Sequence, residues 1–262
     1  MKLAVKHLLF FMIANLAGMW CIGQITPPGL GSDVKVGEWM AVGVKQDLDK
    51  YQKLQSITYV GFGRSNGFND INPVKRPVNW VLTQELKYNP NKFLPFALGM
   101  SYRHKKIYAS IDNNFTDVRQ EWRLYAKLYF TKKWNRLKAT LTLRPELRFF
   151  EDTAFHPWKK EDEQFRTRLK ASVSRSLYEG KQVISFAVEA LAATKHHIKD
   201  NPEWETYQYA DTRLSLYYTF KWPSRSLQFD VGYMCDLYLN DNLNAVHYPA
   251  FDLILNNPFE KG

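Results

Sequence analysis

Two sets of side chains in this sequence could do chemistry: serines with histidines, and alternating Arg and Glu residues. A hydrolase needs a serine nucleophile and a histidine base within hydrogen-bond reach. Ser172 and Ser174 share the polar face of one predicted strand. The histidines beyond the N-terminal region are His104, His156, His196, His197 and His247. All of them lie at predicted strand ends, in loops or in the tail, so we predict no catalytic residues.

A metal site is conceivable where His196 and His197 lie near Asp200 and Glu203. The ligand spacing of strong zinc sites is absent, however, and adjacent histidines in a polar loop are more often solvated. The sequence also lacks a phosphate-binding loop and a dinucleotide fingerprint. We therefore expect no metal and no cofactor.

Arg and Glu residues recur at every second position in three consecutive segments. They are Arg119, Glu121, Arg123, Arg144, Glu146, Arg148, Arg166 and Arg168. Side chains repeat every two residues in a strand but every 3.6 residues in a helix, so this spacing places them on one face of strands. Opposite charges that face each other on adjacent strands stabilise a sheet. We expect a lattice of ion pairs, and selection of a small anionic solute is the alternative role.

The same period of two continues along the chain beyond residue 36 and predicts a series of strands. The predicted strands are Val36–Gln46, Ser56–Arg64, Val78–Tyr88, Leu94–His104, Val118–Thr131, Trp134–Phe149, Phe165–Leu177, Val183–Ala193, Tyr207–Phe220 and Leu227–Leu239, with a further candidate at Val246–Leu255. Pro145 predicts a bulge or a strand end, because proline cannot donate to the ladder. Gly61 and Gly63 predict a bulge or close packing.

The predicted strands are long, mostly roughly 11–15 residues, whereas strands of globular proteins cluster near 5–6 and a membrane-spanning strand needs about 9–11. Aromatic residues flank both strand ends, and tight polar turns alternate with longer loops. The predicted turns are Asn89–Asn91, Lys132–Lys133, Glu179–Lys181 and Pro223–Ser224. The fold predicted is all-β: an antiparallel up-and-down transmembrane β-barrel of about ten strands, or twelve, with its apolar face outward.

The N-terminus resembles a cleavable signal peptide, with Lys2 and Lys6 before an apolar stretch and small residues before Gln24. We assign residues 1–23 to the signal peptide and 24–262 to the barrel, which predicts export to the outer membrane of a Gram-negative bacterium. Cys235 is then the only cysteine, so no internal disulfide can form. If short turns face the periplasm, the first strand starts outside, unless an extra strand lies near Thr26–Val34 or the loop pairing differs.

The formal charge is +10, or +8 without Lys2 and Lys6. Because Lys and Arg are interleaved with Asp and Glu along the chain, we expect no nucleic-acid partner. The expected partners are membrane lipid and lipopolysaccharide, and we expect a monomer.

The sequence also resembles a family of exported proteins, the domain of unknown function numbered 2490. The residues that carry the resemblance are Trp39, the segment Arg119–Arg123, the segment Arg144–Arg148, and Phe165 with Arg166 and Arg168. The resemblance covers nearly the whole mature chain and fades after Leu239. It implies an outer-membrane barrel and supplies no activity.

These observations predict a non-enzymatic outer-membrane barrel with a structural or narrow-pore role and a charged, plugged lumen. Two alternatives from other classes stay open: a membrane-embedded enzyme that modifies lipid or lipopolysaccharide, and a soluble lipocalin-like barrel whose apolar face lines the interior.

Overall fold

A computed structural model describes residues 29–30, 34–67, 70–90, 94–108, 115–152, 159–160, 163–197, 202–239 and 243–259. The predicted signal peptide lies outside these residues. The strands are β1 (Gly37–Asp47), β2 (Leu54–Ser65), β3 (Arg76–Tyr88), β4 (Phe96–Tyr108), β5 (Phe115–Trp134), β6 (Leu137–Asp152), β7 (Lys159–Lys160), β8 (Glu163–Leu177), β9 (Gln182–His197), β10 (Glu203–Trp204), β11 (Gln208–Trp222), β12 (Leu227–Leu239) and β13 (Leu243–Asn256). Among the described residues, no helix is long and apolar enough to cross a membrane.

Eleven of these strands form one closed barrel. The two-residue strands β7 and β10 lie outside this ring and pair with the ends of β6 and β9. Each barrel strand pairs antiparallel with its neighbours along the chain. The exception is the closing pair, in which β1 and β13 run parallel from Trp39 opposite Ala250 to Lys45 opposite Asn256. The predicted all-β barrel is confirmed, with eleven strands in place of about ten and a parallel seam in an otherwise antiparallel sheet.

The tail beyond Leu239 forms β13, so the candidate strand at Val246–Leu255 is confirmed and completes the barrel. An odd number of strands with antiparallel neighbours leaves the first and last strands pointing the same way. The parallel seam therefore follows from the strand count. It also places the start of β1 and the end of β13 at opposite ends of the barrel.

The two ends of the barrel differ in their connections. The connections at one end, here the turn end, are residues 48–53, 89–95, 135–136, 178–181 and 223–226. The connections at the other end, the loop end, are residues 66–75, 109–114, 153–162, 198–207 and the short 240–242. The turn predicted at Lys132–Lys133 is wrong: β5 continues through both lysines, and the chain reverses at 135–136, where Asn135 adopts φ 48°. Asparagine tolerates this left-handed conformation better than lysine does.

Most large apolar side chains point out of the barrel, and most charged ones point into it. On β5, Trp122 and Leu124 are exposed, whereas Glu121, Arg123 and Tyr125 are buried. The same alternation holds around the barrel, with apolar residues exposed on the outer face. Examples are Val42, Phe62, Leu82, Leu98, Leu141, Leu169, Phe186, Leu216, Val231 and Phe251.

Exposed aromatic side chains lie toward both ends of the outer face. At the turn end they are Tyr51, Tyr88, Phe130, Trp134, Tyr178, Phe220 and Trp222. Toward the loop end they are Trp80, Trp122, Trp204, Tyr207 and Tyr209. Two such belts are typical of barrels that meet two membrane interfaces.

The two irregular positions anticipated within strands behave differently. Pro145 causes neither a bulge nor a strand end, which corrects the prediction. Instead β6 continues, and the ladder to β5 lacks pairs between Tyr125–Glu146 and Leu128–Leu143 while keeping its register. Gly61 and Gly63 match the prediction, because the β2–β3 ladder bulges at Gly63 and Gly61 lies under the Trp39 ring.

Glycine at position 99 is required by the ring of Tyr125 on the neighbouring strand. A Cβ at Gly99 would lie 2.3 Å from Tyr125 Cζ. We expect Gly99→Ala to lower the free energy of unfolding by about 1–3 kcal/mol through overpacking. Urea unfolding of the detergent-folded protein measures this change. Ala126→Val, on the outward face, is the control and should change stability little, and equal stability of Gly99→Ala and the wild type would contradict the packing argument.

Candidate functional site

The lumen is the candidate site, and most of the predicted charged residues lie in it. Glu121, Arg123, Glu146, Arg166 and Arg168 are buried. Arg144 and Arg148 lie beside them with little exposed side-chain surface. Arg119 differs, because it is exposed at the loop end, where its guanidinium lies 5.6 Å from the ring centroid of Phe150.

One group of ion pairs is centred on Glu121 of β5. The Nε atoms of Arg123 and Arg148 each lie 2.5 Å from Glu121 Oε1, and Arg103 Nη1 lies 3.5 Å from Oε2. The register explains the convergence, since Arg103 pairs with Glu121 and Arg123 pairs with Arg148 across adjacent strands. One carboxylate therefore contacts three guanidinium groups from three strands.

A second group is centred on Glu146 of β6. Its Oε2 lies 3.2 Å from Arg144 Nε and 3.3 Å from Arg168 Nε, and its Oε1 contacts Arg166. Arg168 extends the group to Glu189 of β9 at 3.4 Å. Glu146 and its three arginines thus tie together strands β6, β8 and β9.

Further pairs lie on the rest of the lumen wall. Lys127 Nζ lies 2.5 Å from Glu85 Oε2, which also accepts a hydrogen bond from Tyr125 at 3.0 Å. Across the barrel, Arg213 Nε lies 3.3 Å from Asp236 and 3.5 Å from Asp211.

Sequence reasoning did not assign several of these partners to the lattice. They are Glu85, Arg103, Lys127, Glu189, Asp211, Arg213 and Asp236. The alternation already places them on the inward face, and that signal could have found them.

The lumen is not lined by charge alone. An apolar cluster includes Trp39 and Ala41 of β1, Tyr217 of β11, and Tyr248 and Ile254 of β13. Tyr248 also donates a hydrogen bond to Asp236 at 3.1 Å, which joins this cluster to the charged network. The interior therefore combines a charged wall with an aromatic one and resembles a packed core.

The segment before β1 enters the lumen. Leu30 and Val34 are buried in the apolar cluster. Arg103 Nη2 of β4 donates a hydrogen bond to the Gly29 carbonyl oxygen at 2.7 Å, and a Cβ at Gly29 would lie 2.6 Å from Arg213 Nη2 of β11. Because β4 and β11 lie on opposite sides of the barrel, Gly29 bridges the two walls.

The position of this segment bears on where the first strand starts. If the short turns face the periplasm, β1 starts at the outer, loop end of the barrel. The described part of Thr26–Val34, namely Gly29, Leu30 and Val34, is not in a strand. The chain instead approaches β1 from inside the lumen at the loop end. Asn66 holds this entry, since its Oδ1 accepts hydrogen bonds from the backbone N–H groups of Lys35 and Val36 at 3.2 and 3.1 Å.

The serines and histidines considered for catalysis are apart. Ser172 donates to the Thr140 carbonyl oxygen at 3.2 Å and Ser174 to that of Lys138 at 3.5 Å. Their register partners on the flanking strands are Thr140, Ala187, Lys138 and Ser185, none of them a histidine. His156 lies outside the described residues.

The two histidines considered for metal binding, His196 and His197, contact different residues. His196 stacks on Trp204 with ring centroids 4.8 Å apart, and His197 Nε2 lies 2.8 Å from Glu205 Oε1. Asp200 lies outside the described residues. Within the part of the chain that the structure describes, no group of three or more His, Cys, Asp or Glu side chains could hold a metal ion.

The closed sheet and its filled interior define the chain as an all-β barrel protein. Residues 36–246 match the family described as "Protein of unknown function (DUF2490)", and the chain belongs to this family. The resemblance carried by Trp39 and the Arg–Glu motifs is thereby confirmed. A comparison with curated proteins gives no match.

Solved structures similar to this chain include two larger barrels. The P. aeruginosa FpvA complex with pyoverdine and iron is 11% identical with a TM-score of 0.28, over 76% of this chain and 36% of that chain. The FpvAI–pyocin S2 complex is 12% identical with a TM-score of 0.26, over 78% and 37%. The chain spans well under half the length of these proteins, and likeness at this level supports no argument about function.

Glu146 should contribute strongly to stability, because its removal leaves three guanidinium groups in the lumen without their shared carboxylate. We expect Glu146→Gln to lower the free energy of unfolding by about 3–5 kcal/mol, the usual effect of breaking a buried ion pair. Urea unfolding in detergent micelles measures the change.

Glu38→Gln is the matched control, since Glu38 lies 3.8 Å from the partly exposed Arg64. Its loss should cost less than about 1 kcal/mol. Similar losses in the two variants would mean that the lumen pairs are as weak as surface pairs.

Proposed function

We propose that this protein is an outer-membrane β-barrel with a closed lumen and a structural, non-conducting role. The observation that carries the proposal is the orientation of the side chains. Large apolar residues such as Leu98, Leu124 and Leu216 are more than half exposed on the outer face. Ion-paired glutamate and arginine line one wall of the interior, and the aromatic cluster around Trp39 lines another. In a soluble lipocalin-like barrel, the apolar face would line the interior instead.

Burial energetics favour a lipid environment for this outer face. Apolar surface gains about 25 cal/mol per Å² when it leaves water, so a continuous apolar band is a strong driving force for transfer into a bilayer. A closed barrel satisfies its backbone hydrogen bonds without water, as a bilayer requires. The sequence features of the N-terminal region, which lies outside the described residues, agree with export.

The contents of the lumen favour a closed barrel over a pore. The groups around Glu121 and Glu146 occupy one wall, the aromatic cluster occupies another, and Gly29 contacts Arg103 and Arg213 from opposite sides. A conducting channel needs a continuous aqueous path between these walls. If such a path opened, the lumen arginines would select small anions.

Fractionation with gel mobility tests the membrane assignment. We expect the protein to enter the outer-membrane fraction, to need detergent for extraction, and to migrate differently before and after heating. A folded barrel retains its hydrogen-bonded sheet in mild detergent, and heating unfolds it. Recovery from the soluble periplasm without detergent would refute the proposal.

Planar-bilayer recording tests the closure of the lumen. We expect the wild-type protein to give no stepwise conductance. Leu30→Asp should produce conductance steps, because a charge in the apolar cluster around Trp39 and Val246 would displace the segment that bridges the barrel. Leu48→Asp, at an exposed position in the turn 48–53, is the control and should stay silent. Steps from the wild type would contradict a closed lumen.

A further inference from the structure

The outer face carries an apolar groove near the turn end. The groove has a volume of about 470 Å³, within the range of about 300–1,000 Å³ typical of ligand sites. It crosses strands β5, β6, β8 and β9. Its lining includes Phe130, Ala139, Leu141, Ala171, Val173 and Phe186.

The strand register explains why a groove forms here. One row of side chains across the four strands runs Lys132, Ala139, Val173 and Phe186. The next row toward the barrel centre runs Phe130, Leu141, Ala171 and Val188. Each row contains one alanine among larger residues. Because the two alanines lie diagonally next to each other, the surface is depressed between the surrounding side chains.

Two cations flank the turn-side end of this groove. Lys132 is exposed on β5, and Arg175 is exposed on β8 in the row nearest the turns, which also contains Trp134, Leu137 and Ile184. The Lys132 ammonium lies 5.3 Å from the ring centroid of Trp134. Lys132 therefore lines the β5 side of the groove, and Arg175 lies one row beyond its turn-side end.

The surrounding sequence is strongly basic. Besides Lys132 and Arg175 on the outer face, Arg136 and Lys181 lie in the adjacent turns 135–136 and 178–181 together with one acidic residue, Glu179, whereas Lys133 and Lys138 occupy inward-facing positions. A second outer groove of about 380 Å³ differs, because it lies midway along the barrel and no basic residue lines it. The first groove therefore combines an apolar lining with the nearby positive charges of Lys132 and Arg175.

We propose that this groove binds an anionic glycerophospholipid, with one acyl chain along Ala139 and Ala171 and the phosphate between Lys132 and Arg175. Lysine and arginine are the side chains that bind phosphate oxygens most effectively. The inference rests on the proposed function, because its ligand comes from the bilayer around the barrel. Short turns face the periplasm in outer-membrane barrels, so the lipid belongs to the periplasmic leaflet.

Native mass spectrometry of the full-length barrel in detergent micelles tests the site. The probes are phosphatidylglycerol and phosphatidylcholine with identical acyl chains, and lipid A. We expect the wild type to retain phosphatidylglycerol selectively. The double variant Lys132→Gln, Arg175→Gln should retain it roughly thirtyfold less, since each basic residue near anionic lipid contributes roughly a factor of five. Ala171→Phe should lose retention of both lipids by filling the groove.

The matched control is Lys50→Gln, Lys53→Gln, which removes the same charge from the exposed turn 48–53 at the same end of the barrel. It should retain phosphatidylglycerol as the wild type does. Equal losses in the two double variants would overturn the site, as would absence of selectivity in the wild type. Preference for lipid A over phosphatidylglycerol would overturn the choice of a periplasmic glycerophospholipid.

A separate measurement distinguishes this inference from the proposed function. Heat-modifiable insertion into vesicles of phosphatidylcholine alone tests whether the barrel enters a bilayer. Insertion without selective retention of phosphatidylglycerol refutes only the lipid site. Failure to insert refutes the membrane barrel itself.

Discussion

The structure depends on closing a sheet that has an odd number of strands. An open edge exposes backbone N–H and C=O groups, which is untenable in a bilayer and promotes aggregation in water. With eleven strands and antiparallel neighbours, the sheet can close only if β1 pairs parallel with β13. This seam places the start of β1 and the end of β13 at opposite ends. The segment before β1 therefore lies inside the lumen and joins the strand at the loop-end rim.

Closure also determines how the interior is filled. Every strand has an inward face, and together these faces place many arginines in the interior. Each of them needs an acidic partner, because a buried unpaired charge is very costly. The chain meets this by sharing carboxylates, so that Glu121 and Glu146 each contact three arginines. The wall formed near the seam uses Trp39, Tyr217 and Tyr248 instead. Such an interior rigidifies the barrel from within.

Local alternation predicted the strands well, including β13, because the period of two depends only on neighbours in the sequence. It also predicted the face on which Arg166 and Arg168 lie. It could not predict the parallel seam or the contact between Arg103 and Glu121, because both depend on register between strands. The turn at Asn135 was missed because two adjacent lysines resemble a turn locally, whereas strand pairing extends past them. The position of Gly29 could not be predicted either, because it depends on contacts with Arg103 and Arg213 on opposite walls of the closed barrel.

The parallel seam also governs how the barrel can be made. Val44 on β1 pairs with Leu255 on β13, so the first strand waits for nearly the whole chain before it gains its second neighbour. Contacts so distant in sequence form slowly, because loop-closure entropy opposes them. Until that moment β1 and the last completed strand are open edges, and an unfinished chain is vulnerable to pairing with other chains. Assembly is therefore all-or-none at its final step, and a chain that ends before β13 would be left as an open sheet.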